Sequence, residues 1–306
     1  MAPETAEVQS PPPPPTTDGQ PAEGPPAESA APQRKPWLVI RPRSGWAALD
    51  LRELWRFRDL LLTLALRDIK LRYRQTVLGV AWVVLQPLLG AAIFAFVFGL
   101  VAKLPSEGIP YFVFAYAGLT AWTAFQTTFT KASTCLVQNA NLVTKVYFPR
   151  LVLPLSTAFG AVIDFVCGLA MLVPMLAAFH VAPGWPVLLL PVWLALLLLL
   201  ALGAGLVAAA LSAQYRDVQY ILPVVLQLAM YASPLAYALK VVPEKWQTLY
   251  SLNPLVGLLE AVRWSLLGSA APPVAAVAYG ATVAAGTFVG GAMIFRRAER
   301  RFADVL

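Results

Sequence analysis

The chain has 306 residues, 58% of them hydrophobic and only 13% charged, with a mean hydropathy of +0.66 and a net charge of +7. A soluble domain carries roughly 25% charge; here the charges cluster and leave apolar stretches of about 20 residues, each long enough to cross a bilayer as a helix. Its two cysteines (Cys135, Cys167) and single histidine (His180) are too few and too scattered for a zinc or iron–sulfur centre, and the basic residues flank the apolar stretches, so they report topology rather than nucleic-acid binding.

Residues 1–36 hold 11 of the 27 prolines, including Pro11 to Pro15, and up to Gln33 carry five acids and no Lys or Arg. Such a segment cannot pack a core and reads as a disordered cytoplasmic tail. Residues 37–75 form the lead-in. Within it, 46–62 is an imperfect amphipathic helix, with Leu51, Leu54 and Trp55 on one face and Arg52, Arg56 and Asp59 on the other. It is too charged to span and suits the membrane interface.

Six membrane-spanning helices follow within 76–296, at about 77–101, 111–133, 151–179, 187–212, 218–239 and 272–295. Segment 246–268 is apolar but holds Glu260 and Arg263 and is broken at Asn253-Pro254. It reads as short re-entrant helices between the fifth and sixth spans, covered by protein. Residues 297–306 form a second cytoplasmic tail. With both termini inside, the inner segments carry 19 Lys/Arg and the outer ones four, Lys103, Lys240, Lys245 and Arg263, the bias expected of a cytoplasmic face. The predicted class is an all-α integral membrane protein.

No phosphate-cradling G-x-x-x-x-G-K-[ST] loop, nucleophile elbow or H-E-x-x-H helix occurs. No catalytic residue can be named, which argues for a transporter or scaffold over an enzyme. Ahead of the first span, Arg67, Lys70 and Arg74 fall at helical spacing on one stripe, with Arg72 pointing elsewhere. They either anchor the chain on lipid phosphates or form a lip receiving an anionic, phosphate-bearing substrate. In the second span Thr120, Thr123, Thr127, Thr130 and Thr134 recur at steps of 3, 4, 3 and 4. This face either packs helices or lines a polar channel. Tyr220, Gln227, Tyr231 and Pro234 share a face of the fifth span, which reads as a polar channel wall or, for tyrosines at a span end, as an interfacial belt. Asp164 is the one charge well inside a span, roughly 20 Å beyond Leu151 at about 1.5 Å per residue. It is a functional acid or a hydrogen-bonded one holding helices together, and no intramembrane Lys or Arg is evident in the sequence as its partner. Glu260 and Arg263, one turn apart, read as a local ion pair, and Gly286 with Gly290 forms a G-x-x-x-G that permits close helix contact.

Several strings taken as a set carry a resemblance. They are LRDIKLRYRQTVLGVAWVVLQP at 66–87, LVQNANLVTKVYFPR at 136–150, Tyr215-Arg216-Asp217, Ser233-Pro234, LNPL at 252–255 and the terminal ERRFADVL. Over residues 46–306 the chain resembles the membrane subunit of type-2 ABC exporters of polysaccharides, the class exporting O-antigen, capsule or teichoic acid. The resemblance implies six helices per subunit and two copies of the chain around one channel. It also implies a separate cytoplasmic ATPase that holds ATP and Mg, with no cofactor in this chain. The substrate implied is a polyprenyl-diphosphate-linked glycan moved across the inner membrane. Segment 136–150 then corresponds to the coupling helix, with Asn139, Asn141, Thr144 and Lys145, together with Arg216 and Asp217, facing the ATPase. Arg67, Lys70, Arg72 and Arg74 would form the cytoplasmic substrate entrance, and Thr120, Thr123, Thr127, Gln227 and Tyr231 the channel lining. The alternatives are a type-2 exporter of a small lipophilic drug or lipid and, from another class, a membrane glycosyltransferase or ligase; the short, acid-poor loops weigh against the latter.

Overall fold

The computed structural model describes residues 51–73 and 81–305, with side chains described for 54–71 and 81–299. The Pro-rich tail, residues 37–50 of the lead-in, Arg74 and the side chain of Arg72 lie outside the described residues. Within them the chain is helical, with no strand.

Two helices precede the first apolar segment: α1 (Leu51–Arg56) and α2 (Arg58–Tyr73). The first apolar segment is α3 (Ala81–Phe94), which runs into a wider π turn over Ala95–Val101. Then come α4 (Tyr111–Gln138), the short α5 (Ala140–Lys145) and α6 (Val152–Ala178). A 3-10 turn (Trp185–Leu189) leads into α7 (Leu190–Gln214), followed by α8 (Val218–Tyr231). After a second 3-10 turn (Leu239–Val241) come α9 (Glu244–Ser251), α10 (Pro254–Leu267) and α11 (Val274–Val305).

Four elements among the described residues are long and apolar enough to cross a membrane: Ala81–Val101, Val152–Ala178, Trp185–Gln214 and Val274–Glu299. Helix α4 is longer than most of them but carries six threonines, Gln126 and Lys131. Its position explains this tolerance. It packs against α3, α6, α7, α8 and α10 and is buried on every face from Val113 to Trp122, so little of that stretch would meet lipid. Helix α8 is apolar but has 14 residues. It stops at Tyr231 because Ser233-Pro234 follows: proline disfavours helix in the residue before it and has no N–H to donate. The sequence placed Pro234 on the helical face of Tyr220, Gln227 and Tyr231; the helix ends first, and Pro234 lies in the irregular segment beyond.

Apolar area drives little association between helices inside a bilayer, so close packing at small residues must do so. The tightest crossing joins α7 to α11 at Gly203 and Gly291, where a methyl on either would collide with the other helix's backbone. Gly286 and Gly290, the G-x-x-x-G pair legible in the sequence, face open space. Gly291→Ala is therefore expected to destabilise the purified subunit by about 1–3 kcal/mol through overpacking. Gly286→Ala and Gly290→Ala should instead gain up to about 1 kcal/mol of helix propensity. Thermal unfolding in detergent reads the opposite signs; a neutral Gly291→Ala would show that the crossing is not tight.

Candidate functional site

One end of the bundle gathers most of the residues singled out from the sequence. Leu64 of α2, Cys135 and Leu136 of α4, Val143 of α5, Phe148, Leu206 and Ala213 of α7, and Phe295 of α11 share one buried apolar cluster. The α4–α5 junction, the turn after α7 and the far end of α11 therefore lie together.

The junction is built by Asn139. Its backbone (φ −113°, ψ 27°) interrupts the helix for one residue. The side-chain NH2 donates to the Cys135 carbonyl at 2.9 Å, closing α4, and its own carbonyl accepts the amides of Leu142 and Val143 at 2.9 and 3.0 Å, opening α5. Val143 points into the cluster and anchors the short helix. Asn141, Thr144, Lys145, Val146 and Tyr147 are exposed. The amphipathic pattern of 136–150 is thus divided: Leu136 and Val143 face the chain's own core, and polar residues with Val146 and Tyr147 face outward. Arg216 and Asp217 are exposed in the turn between α7 and α8. Arg150, just beyond α5, is fastened to the far end of α11: its Nη1 donates to the Glu299 carbonyl at 2.6 Å and its amide to Glu299 Oε1 at 3.3 Å.

Of the basic stripe, Arg67 and Lys70 are exposed on α2. The Arg67 guanidinium is engaged by protein: Nε and Nη2 donate to Asp68 Oδ1 at 3.1 and 2.9 Å, and Nη2 also donates to Asn139 Oδ1 at 2.9 Å.

Asp164 is buried on α6. It lines a small cavity with Asp68, Lys131, Ser156, Thr157 and Gly160. The sequence named no Lys or Arg as a partner for Asp164. Lys131 borders the same cavity, and its ammonium lies so close to Gly160 that a methyl there would stand 3.3 Å from Nζ. The sequence had placed Lys131 among the flanking cytoplasmic charges because it falls near the end of its helix.

The threonine face of α4 changes character along its length. Thr120 is buried, donates to the Tyr116 carbonyl at 2.9 Å and presses its methyl on Gly168 of α6, a packing role. Thr123 and Thr127 are half-buried and Thr130 is exposed; Thr123 satisfies its hydroxyl on the Leu119 carbonyl at 2.8 Å. Gln227 and Tyr231 are exposed on α8, as is Tyr220. Their helix packs on α4.

At the opposite end, a cluster unforeseen in the sequence holds the irregular segment after α8. Arg263 of α10 is fully buried, with its guanidinium 4.1 Å from the Phe114 ring centre. It donates to the Pro234 carbonyl and faces Glu260 Oε1 at 4.0 Å. That same oxygen accepts the Leu239 amide at 3.0 Å. Asn253 caps α10 by accepting the Leu255 amide, while its NH2 donates to the Ala232 carbonyl and to Ser233 Oγ. Tyr111 donates to the Ala236 carbonyl. Backbone groups left unpaired by a broken helix need such partners in an apolar setting. The local Glu260–Arg263 pair expected from spacing is present, but its larger work is on residues 234 and 239.

Comparison with known proteins agrees with this layout. The chain is 32% identical over 211 residues to the O-antigen export system permease protein RfbA of Myxococcus xanthus, covering 68% of this chain and 80% of that protein. It is 29% identical over 253 residues to the RfbA permease of Klebsiella pneumoniae, covering 81% and 95%. To the polysialic acid transport protein KpsM of Escherichia coli it is 23% identical over 209 residues, covering 67% and 80%. Residues 59–267, from α2 through α10, match the ABC-2 type transporter profile, and the chain belongs to that family of transporter membrane subunits.

Proposed function

We propose that this chain is the permease subunit of an ATP-driven exporter that moves polyprenyl-diphosphate-linked polysaccharide across the inner membrane, through a channel formed with a second copy of itself. The observation carrying this reading is the likeness to permeases named for O-antigen export, which extends over 80% and 95% of two such proteins. The sequence has no nucleotide-binding loop, and an ABC system joins such a subunit to a separate ATPase. The end bearing α5, the Arg216-Asp217 turn and the end of α11 is the cytoplasmic one in this reading. Asn141, Thr144 and Lys145 then face the ATPase. Six spans are counted by adding α4 and α8 to the four long apolar helices, with α9 and α10 re-entering from outside. Gln227 and Tyr231 offer an amide and an aromatic ring suited to sugar hydroxyls and C–H faces, on a helix that packs against α4.

The test is reconstitution of the subunit with its partner ATPase in proteoliposomes containing labelled polyprenyl-diphosphate glycan. ATP should drive glycan to the far side and glycan should stimulate hydrolysis, while lipophilic drugs do neither. Stimulation by drugs alone would favour the drug-exporter alternative. Glycan product formed without ATP would point to a transferase.

A further inference from the structure

We propose that Arg67 is a positioning residue for the coupling helix: through Asn139 it ties α2 to α5, so that movement of the partner ATPase reaches both helices together. This rests on the exporter reading and adds to it a route by which the power stroke reaches the interfacial helix.

Three observations carry the assignment. The first is the contact itself. Arg67 and Asn139 lie 72 residues apart and meet at 2.9 Å, Nη2 donating to Oδ1. The second is its location. Asn139 is the single residue interrupting α4 and α5, its amide NH2 is committed to the Cys135 carbonyl, and its Oδ1 is therefore the atom that must point outward. A six-residue helix such as α5 has no stability of its own, so its direction is set by what grips its ends. Val143 grips it from the core, and Arg67 holds the hinge residue from the side. The third is how the guanidinium is held. Asp68 Oδ1 takes both Nε and Nη2 of Arg67, fixing the plane of the fork. Asp68 in turn borders the cavity shared with Lys131 and Asp164. The Arg67-Asp68 dipeptide thus lies between the ATPase-facing helix and the charged side chains of α4 and α6.

The clasp is solvent-accessible, with the Arg67 and Asp68 side chains 43% and 37% exposed. An exposed pair adds little to stability, so its loss should appear in transmission and not in folding. A substrate-receiving arginine makes a different prediction. It would act without Asn139, and its loss would raise the glycan concentration needed for half-maximal stimulation.

Two readouts on the assembled permease–ATPase complex decide the matter. The first is glycan exported per ATP hydrolysed, for Arg67→Ala, Asn139→Ala and the double variant. Arg67→Ala should lower this ratio about five- to tenfold with assembly and thermal stability retained; Asn139→Ala, which also loses the bond to the Cys135 carbonyl, should lower it at least as much, and the double should be no worse than Asn139→Ala alone, as residues of one contact behave. The second is hydrogen exchange of the α2 backbone when the ATPase is trapped with vanadate, which needs no glycan. Wild type should show a nucleotide-dependent change in residues 58–73 that both variants lose. If wild type exports no glycan but the exchange result holds, the exporter reading fails and the clasp stands. If Asn139→Ala is silent in both readouts, or the two substitutions add, the clasp is overturned and Arg67 acts alone.

Discussion

Replacing Arg263 with alanine is expected to remove most folded protein from the membrane. The side chain is 1% exposed and lies against the Phe114 ring, the Pro234 carbonyl and Glu260 at once. Truncating one partner of a buried ion pair typically costs about 3–5 kcal/mol because the other charge is left uncompensated. Here Glu260 would also have to keep accepting the Leu239 amide, and the Pro234 carbonyl would lose its donor in a place where water cannot replace it. Arg263→Lys retains the charge but not the planar stacking or the fork, and should fall between alanine and wild type. Glu260→Gln keeps an acceptor for Leu239 and should be milder than Arg263→Ala. The measurement is the monodisperse fraction of a fluorescent fusion by size exclusion, relative to total protein. Wild-type yield of Arg263→Ala would show that the segment after α8 is held by other contacts.

Asn141→Trp combined with Lys145→Glu is expected to abolish export while leaving the permease folded. Both residues are exposed on α5, whose apolar anchor Val143 turns away from them into the core. A bulky ring and a reversed charge on the outward face therefore disturb a partner without disturbing the bundle. A handful of hot-spot residues, costing about 2 kcal/mol or more each, dominate a typical interface; if the two changes disrupt such a spot, a loss of about 30-fold or more in affinity for the ATPase is the expected scale. Co-purification of the ATPase and glycan export in the same cells would be followed. Normal pull-down with normal export would refute the docking role of 136–150.

What the sequence disclosed depended on whether a feature repeats locally. Apolar runs and their flanking charges are local, so the long helices fall where hydropathy put them, and the Asn253-Pro254 break coincides with the start of α10. The fifth span is shorter than drawn because hydropathy does not register that Ser233-Pro234 terminates a helix. The threonine period in α4 was legible, but its use was not. Burial of Thr120 follows from where Gly168 of another helix crosses, and no spacing within α4 encodes that. In the same way, a four-residue repeat drew notice to Gly286 and Gly290, while the close helix crossing uses one glycine from each of two helices, Gly203 and Gly291. Arg67 with Asn139 and Arg150 with Glu299 are separated by 72 and 149 residues. The stripe drew notice to Arg67, but nothing in its spacing points to Asn139, and Arg150 carries no mark distinguishing it from the topological charges around it. Lys131 is the same case in reverse: counted as a flanking charge, it borders the cavity of Asp164.

Helix α8, at 14 residues, is about 21 Å long at 1.5 Å per residue, against a hydrocarbon core of roughly 30 Å. In the exporter reading, where α8 is a span, the chain continues from its end into the irregular segment 232–241 and into α9 and α10, whose polar groups are tied to one another. Hydrophobic mismatch at such an edge draws the adjacent leaflet inward. In the exporter reading, a carrier lipid beside α8 would meet a locally thinned membrane, with its headgroup already displaced toward the midplane before any helix has moved. Bilayer thickness then becomes a variable of transport, set by the host membrane and sensed at one short helix.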